Sequence, residues 1–300
     1  QDKYFGDINI DLSKVTWVLT YNNANAFSDI LRSRITEIHL KGFTEDEKFK
    51  ICKEFIIPEF NKKYSFNVNM KDDLINHLIL CYTDESGVRK IKQIIEDIYT
   101  EINYQFLNGI LKNKRRQVNL TIKNIKNFLK YKKELVLEKI HSKDEVGKIN
   151  GLYATSYGLG GIIPIESNWF PSDTVLQLKK TGNLGKIMQE SGDVAKTVAW
   201  NFISKELQID YREKWEKNKE GIHIHCSEAS IEKEGPSAGL ATTISIISLL
   251  TNRTIKNNVG VTGEINLSGN VLPIGGLRDK FFGAKRAGCS LVIFPHENNK

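Results

Sequence analysis

Near residue 140 the chain changes its hydrophobic period, and no single architecture satisfies both halves. From Thr44 to Leu129 apolar residues recur at helical spacing, whereas from Gly147 onward glycines crowd in (Gly147, Gly151, Gly158, Gly160, Gly161) beside β-rich runs such as Gly161 to Glu166. A 3.6-residue repeat and a 2-residue repeat bury different faces. The chain is therefore expected to fold as differently built units, with the main boundary in the charged, weakly patterned stretch from Lys132 to Glu145. Its 300 residues suffice for two domains.

Before the boundary, Val15 to Thr20 and Ile35 to Leu40 read as short strands. Thr44 and Glu47 have capping-box spacing, and the helix they open should stop ahead of Pro58. Asp72 or Asp73 starts a second helix. The clearest helix carries Val88, Ile91, Ile94, Ile95, Ile98, Ile102 and Phe106 on one face, with Gly109 to end it. A fourth is expected over 122–129, making residues 41–133 a small all-helical unit.

Beyond the boundary the pattern is mixed. A long amphipathic helix is expected over 184–207, with Ile187, Met188, Val194, Ala195, Val198 and Phe202 inward. Ile222 to Cys226 alternates as a strand, with His223 and His225 on the face opposite Ile222, Ile224 and Cys226. A helix follows Pro236, then a hairpin with strands near 260–267 and 271–274, a helix from Leu277, and a buried strand over 291–294. The fold class is mixed, α+β in kind.

No run approaches 18 apolar residues, so nothing reads as a membrane-spanning helix, and no basic-then-apolar leader opens the chain. The four cysteines, Cys52, Cys81, Cys226 and Cys289, are widely spaced without a CxxC. Reduced thiols and no metal site are expected. The net charge of +7 is concentrated in nine basic residues between Lys112 and Lys133 with no acid among them. That block could touch DNA or another acidic partner, or form a solvated helix face.

The stretch Glu234-Gly235-Pro236-Ser237-Ala238-Gly239 precedes an apolar helix striped with Leu240, Ile244, Ile247 and Leu250. Pro236 suits the first helical position, where its missing N–H costs nothing. Ser237 then sits at the positive end of a helix, where unpaired amides favour the oxyanion formed when a serine attacks a carbonyl. A serine nucleophile also needs a base. His223 and His225 are possible. Lys280 is the better candidate, because it falls on the apolar stripe of Leu277, Phe281, Ala284 and Ala287, while Lys285 and Arg286 fall off it. Burial lowers an amine's pKa, and a neutral lysine can take and return the proton. Thr262 could orient that amine. Each signal also has a plain structural reading: an ordinary N-cap at Ser237, a snorkelling lysine at 280. The two histidines lack a third ligand for a metal and suit structural or groove roles.

Gly235 to Gly239, Thr262-Gly263-Glu264-Ile265, and Leu272-Pro273-Ile274-Gly275-Gly276-Leu277 with Lys280 together resemble the Lon family of ATP-dependent proteases. The serine-to-lysine interval of 43 residues is similar too. The resemblance implies a Ser237–Lys280 dyad supported by Thr262, in a proteolytic domain over 134–300. It also implies that residues 1–40 end a large AAA+ ATPase subdomain and that 41–133 form the small one. Asn22 would then be the first sensor, Arg34 the arginine finger (with Arg32 the alternative), and Arg89 the second sensor.

Three departures stand out. No GxxxxGK[ST] phosphate loop or Walker B strand is present, so ATP with Mg is expected to be bound mainly by residues outside this chain, and the peptidase chemistry itself needs no cofactor. Glu234 stands where the bacterial family usually has aspartate. The chain stops at Lys300 just after a strand, so the proteolytic domain is expected to lack its final elements. The family further implies a homohexamer that takes unfolded proteins in the bacterial cytoplasm or mitochondrial matrix. Alternatives from other classes are a non-proteolytic Lon-like scaffold and a nucleic-acid-binding module using Lys112 to Lys133.

Overall fold

The computed structural model describes residues 11–299 apart from 22–26, 39, 41, 84, 112–116, 156–157 and 228–232. The chain divides into two compact units, Gln1–Lys41 and Gly42–Lys300.

In the first unit the only described helix is α1 (Asp29–Arg32), capped by Ser28. Residues 15–20 and the described part of 35–40 form no strand. Val15, Trp17, Val18 and Leu19 are exposed. The apolar pattern is there, but an extended segment becomes a strand only when a neighbour takes its backbone hydrogen bonds.

The second unit opens with α2 (Glu45–Ile51), whose Thr44 cap and Glu47 side chain make both bonds of a capping box. The helix does not stop ahead of Pro58. It widens into a π turn over Cys52–Ile56 and continues as α3 (Ile57–Tyr64). A wider turn absorbs the proline ring and its missing donor, which sequence rules treat as a helix stop. Strand β1 (Asn67–Met70) and helices α4 (Asp72–Tyr82) and α5 (Arg89–Leu107) follow. The stripe of α5 is buried as its period requires, with Ile91, Ile95, Ile98 and Ile102 fully covered.

Strand β2 (Gln117–Leu120) pairs in parallel with β1, so residues 41–133 are not all-helical. Each strand has four residues and buries alternate side chains, Val68 and Met70 on β1 and Leu120 on β2. So short a run carries too little periodicity to be seen from either segment alone. The helix expected over 122–129 shrinks to a 3-10 turn at Ile125–Asn127.

The remainder builds a six-stranded mixed sheet. Its strands are β4 (Lys148–Ala154), β5 (Gly160–Pro171), β6 (Leu178–Thr181), β7 (Glu220–Cys226), β9 (Val259–Val261) and β12 (Leu291–Ile293), in the order β12-β9-β4-β5-β7-β6. Two small antiparallel pairs flank it: β3 (Glu145–Val146) with β8 (Thr254–Ile255), and β10 (Glu264–Ile265) with β11 (Val271–Leu272). β12 lies at the sheet edge with Leu291 and Ile293 exposed, so it is not the buried strand expected from its composition.

The long helix expected over 184–207 is two, α6 (Lys186–Phe202) and α7 (Lys205–Asn218), because Ser204 caps a new helix by accepting from the Leu207 amide. Ile187 and Phe202 point outward. Helix α8 (Gly239–Thr251) packs with α6 over one sheet face, in a core with Ile149, Ile165, Ile222 and Ile224. Its most buried side is its small, hydroxyl-bearing one. Ser245 Oγ donates to the Gly147 carbonyl, and Ser248 Oγ accepts from the Gly147 amide. Helix α9 (Leu277–Ala287) covers the opposite face, where Ala284 and Ala287 meet Leu152 and Ile162.

Helix α9 lies unusually close to β5. A Cβ at Gly283 would stand 2.2 Å from the Gly161 amide nitrogen, and one at Gly160 would stand 1.8 Å from the Asp279 carbonyl oxygen. Only glycine permits backbones to approach so closely. At the far end of α9, the Arg286 guanidinium donates to the Gly160 carbonyl and to the Glu45 carboxylate at the start of α2.

Candidate active site

Ser237 lies in a 3-10 turn, Pro236–Ala238, that runs straight into α8. Gly235, just ahead, has φ 113° and ψ 150°, a conformation a side chain would oppose. Two backbone hydrogen bonds strap this turn to the loop after β9. Gly263 N donates to Ser237 O at 2.8 Å, and Leu240 N donates to Gly263 O at 3.0 Å. The amide of Gly239 is bonded within the turn to Pro236 O. The α8 amides expected to be free for an oxyanion are thus engaged at Gly239 and Leu240.

Thr262 sits next to that strap, with none of its surface exposed. Its hydroxyl donates to the Ser237 carbonyl at 3.4 Å and accepts from Lys280 Nζ at 3.0 Å. Lys280 reaches it from the first turn of α9, on the same buried stripe as Gly283, Ala284 and Ala287. Only 4% of the lysine is exposed. Burial, with no compensating charge contributing, pulls its amine from the ordinary 10.5 down to about 8. A substantial fraction is then neutral near physiological pH, and such an amine can accept a proton.

Ser237 and Lys280 line one cavity of about 470 Å³, together with Tyr153, Thr155, Glu264 and Asp279. The other candidate bases are elsewhere. His223 and His225 share the Thr181 hydroxyl at 2.9 Å each and border a different cavity with Lys148 and Glu166. Burial, then the nearby Lys179, lowers the His223 pKa.

One residue near the site has a role that local reading missed. Glu234 accepts from the Ile187 amide at 3.0 Å and so caps α6, whose own N-cap residue is the side-chain-free Gly185. Beside it, the buried Lys233 donates from Nζ to the Gly182 carbonyl at 3.0 Å, and Ser191 Oγ donates to the Pro236 carbonyl at 3.3 Å. The segment leading to Ser237 is therefore moored to the start of α6. No spacing rule could reveal a cap donated from so far along the chain.

Of the nucleotide-sensing candidates, Asn22 lies outside the described residues. In the first unit, Arg34 is exposed, while Arg32 is paired with Glu37 at 3.0 Å. In the second, Arg89 opens α5 and is exposed. In the basic block, Lys112, Lys114, Arg115 and Arg116 lie outside the described residues. Lys126 pairs with Glu134 at 2.8 Å, Lys132 with Asp97 at 3.1 Å, and Lys130 lies 3.8 Å from Glu101. Those three charges are paired within the fold. The four cysteines are free thiols, and no helix of the described residues is long and apolar enough to cross a membrane.

Residues 119–300 match the family profile described as the Lon protease (S16) C-terminal proteolytic domain. Over 98% of its length the chain is 34% identical to a Lon protease of Campylobacter concisus, covering 38% of that protein. It is 36% identical to Lon protease 1 of Bacillus subtilis over 97% of its length, covering 36% of that protein. To the mitochondrial Lon protease homolog 1 of Dictyostelium discoideum it is 32% identical, covering 98% of the chain and 32% of the relative. The chain thus spans a little over a third of the length of the curated relatives it matches. A profile match across more than half the chain, joined to relatives aligned end to end along it, assigns the family: this chain belongs to the Lon proteases.

Proposed function

We propose that this chain carries the peptidase site of an ATP-dependent serine endopeptidase, with Ser237 as nucleophile, Lys280 as general base and Thr262 as the group that orients the lysine. The observation that carries this reading is the buried Lys280 amine, bonded to Thr262 in the cavity it shares with Ser237. Neutral Lys280 takes the Ser237 hydroxyl proton as Oγ attacks the peptide carbonyl. The resulting ammonium returns that proton to the departing amine, leaving an acyl-enzyme. A water molecule, deprotonated by the same lysine, then releases the acid and restores Ser237.

The rest of the reading rests on family membership. Residues 1–40 and 41–133 are the end of the large and the whole of the small AAA+ subdomain, and 134–300 is the proteolytic domain. The exposed Arg34 and Arg89 suit contact with nucleotide phosphates, which planar guanidinium groups bind well. Asn22, as the first sensor, would orient the attacking water. ATP with Mg, held mainly outside this chain, supplies the energy for delivering substrate. The whole protein is a homohexamer that degrades unfolded proteins, in the bacterial cytoplasm or the mitochondrial matrix. No structural observation favours the scaffold or nucleic-acid alternatives.

The test is cleavage of casein and of a short fluorogenic peptide by the complete protein, beside Ser237→Ala and Lys280→Ala. Loss of cleavage in both variants with ATP hydrolysis retained is expected. Retained peptide cleavage in either would overturn the assignment.

A further inference from the structure

On the helical side of the second unit, three donors of different chemistry converge. His77 and Cys81 stand one turn apart on α4. Glu134 comes from the segment leading toward the sheet. Their ligand atoms all lie within 4.8 Å of one another, and all three side chains are half-buried. The segment is already held there, since Leu135 N donates to the Cys81 carbonyl at 2.6 Å.

His77 Nε2 is enclosed and 3.2 Å from Glu134 Oε1, yet makes no well-formed hydrogen bond. An imidazole nitrogen facing a carboxylate and a thiol is the donor set of a borderline cation. The other carboxylate oxygen, Oε2, is gripped by Lys126 at 2.8 Å. Ligating carboxylates are commonly held in this way by a neighbouring group.

From this geometry we infer that His77, Cys81 and Glu134 form a binding site for a borderline divalent cation of the zinc class, with water as fourth ligand. Ligands of a tetrahedral zinc site stand about 3.5 Å apart. Closing from the present spacing takes side-chain rotations, because the helix and the Leu135 bond already fix the backbone. Binding replaces the thiol proton: the Cys81 sulfhydryl and the aquated dication give a metal thiolate and one released proton. The bound ion would pin the approach to the sheet onto α4. Sequence spacing predicts no such site, because its third ligand is remote from the other two.

The test is a titration of the chelator-treated chain with cobalt(II), followed by competition with zinc(II). The expected result is one equivalent of cobalt with a thiolate charge-transfer band and the intense visible bands of a tetrahedral ion, both lost when zinc is added. Cys81→Ser should abolish the charge-transfer band although Cys52, Cys226 and Cys289 remain. Glu134→Gln, which keeps the side-chain shape, should weaken zinc binding, and Lys126→Met should weaken it by about tenfold through the loosened carboxylate. Circular dichroism of the metal-free variants controls for folding. A folded wild-type chain without the cobalt bands would overturn the site, as would bands that persist in Cys81→Ser. Zinc binding unchanged in folded Glu134→Gln would remove the carboxylate, leaving an ion pair only.

Discussion

Lys280 Nζ donates to Thr262 Oγ1 at 3.0 Å, and that hydroxyl in turn faces the carbonyl of Ser237. The fully buried Thr262 side chain therefore links the candidate base to the backbone of the candidate nucleophile.

With Lys280 as base, activity depends on the neutral amine. Peptide cleavage should rise with pH along a single ascending limb centred near 8, the value to which burial draws this lysine. A kcat/KM profile measured from pH 6 to 10 checks this. A flat profile would contradict a titrating lysine.

The same burial carries a stability cost with a definite sign. Unfolded, the amine holds its proton to about 10.5; folded, it releases it near 8. Between those values the unfolded chain binds more protons, so stability climbs with pH across that window, and the full cost applies below it. Lys280→Met should abolish cleavage yet stabilise the fold at pH 7 by at most about 3 kcal/mol. Urea midpoints at pH 7 and pH 10 test this: the climb between them should be smaller in the variant.

Thr262→Val removes the hydroxyl while nearly preserving volume. It leaves the amine without its oriented partner in a buried place, which costs on the order of 1–3 kcal/mol. Cleavage should fall and the ascending pH limb should shift, a change that a purely structural role for Thr262 would not produce. The measurement is kcat/KM against pH beside the parent protein.

Glu234 can be tested through the helix it caps. Glu234→Ala should destabilise the fold by about 1 kcal/mol, the usual cost of a lost N-cap, and lower cleavage by loosening the segment ahead of Ser237. Glu234→Gln retains an acceptor for the Ile187 amide and should lose less. Thermal unfolding alongside peptide cleavage separates the two effects.

Gly283→Ala should be among the most damaging small changes in the protein. The added methyl would meet β5 backbone at 2.2 Å, with no flexible side chain to give way. A destabilisation of about 1–3 kcal/mol is expected from overpacking, together with lost cleavage as the lysine helix is pushed outward. Equal thermal stability of the variant and the parent would refute the close approach.

How much of this was legible depended on distance along the chain. The α5 stripe and the alternation of β7 were readable because each repeats within a single element. The placement of Lys280 on the buried face of α9 followed from the same kind of period. What escaped was non-local or too short. The β1–β2 pair joins two four-residue runs, and Val15 to Thr20 had the composition of a strand without a strand neighbour among the described residues. The Glu234 cap and the His77–Cys81–Glu134 cluster arise only when remote segments meet. Pro58 misled in the other direction, since a π turn let the helix continue through it.

The clasp at Arg286 sets a mechanical limit on the site. An eleven-residue helix is about 16 Å long and stiff over that span. Lys280 near one end and the clasp near the other must then travel together, as points on a single strut. Tilting the strut enough to withdraw the amine would tear the guanidinium from Gly160, from Glu45, or from both.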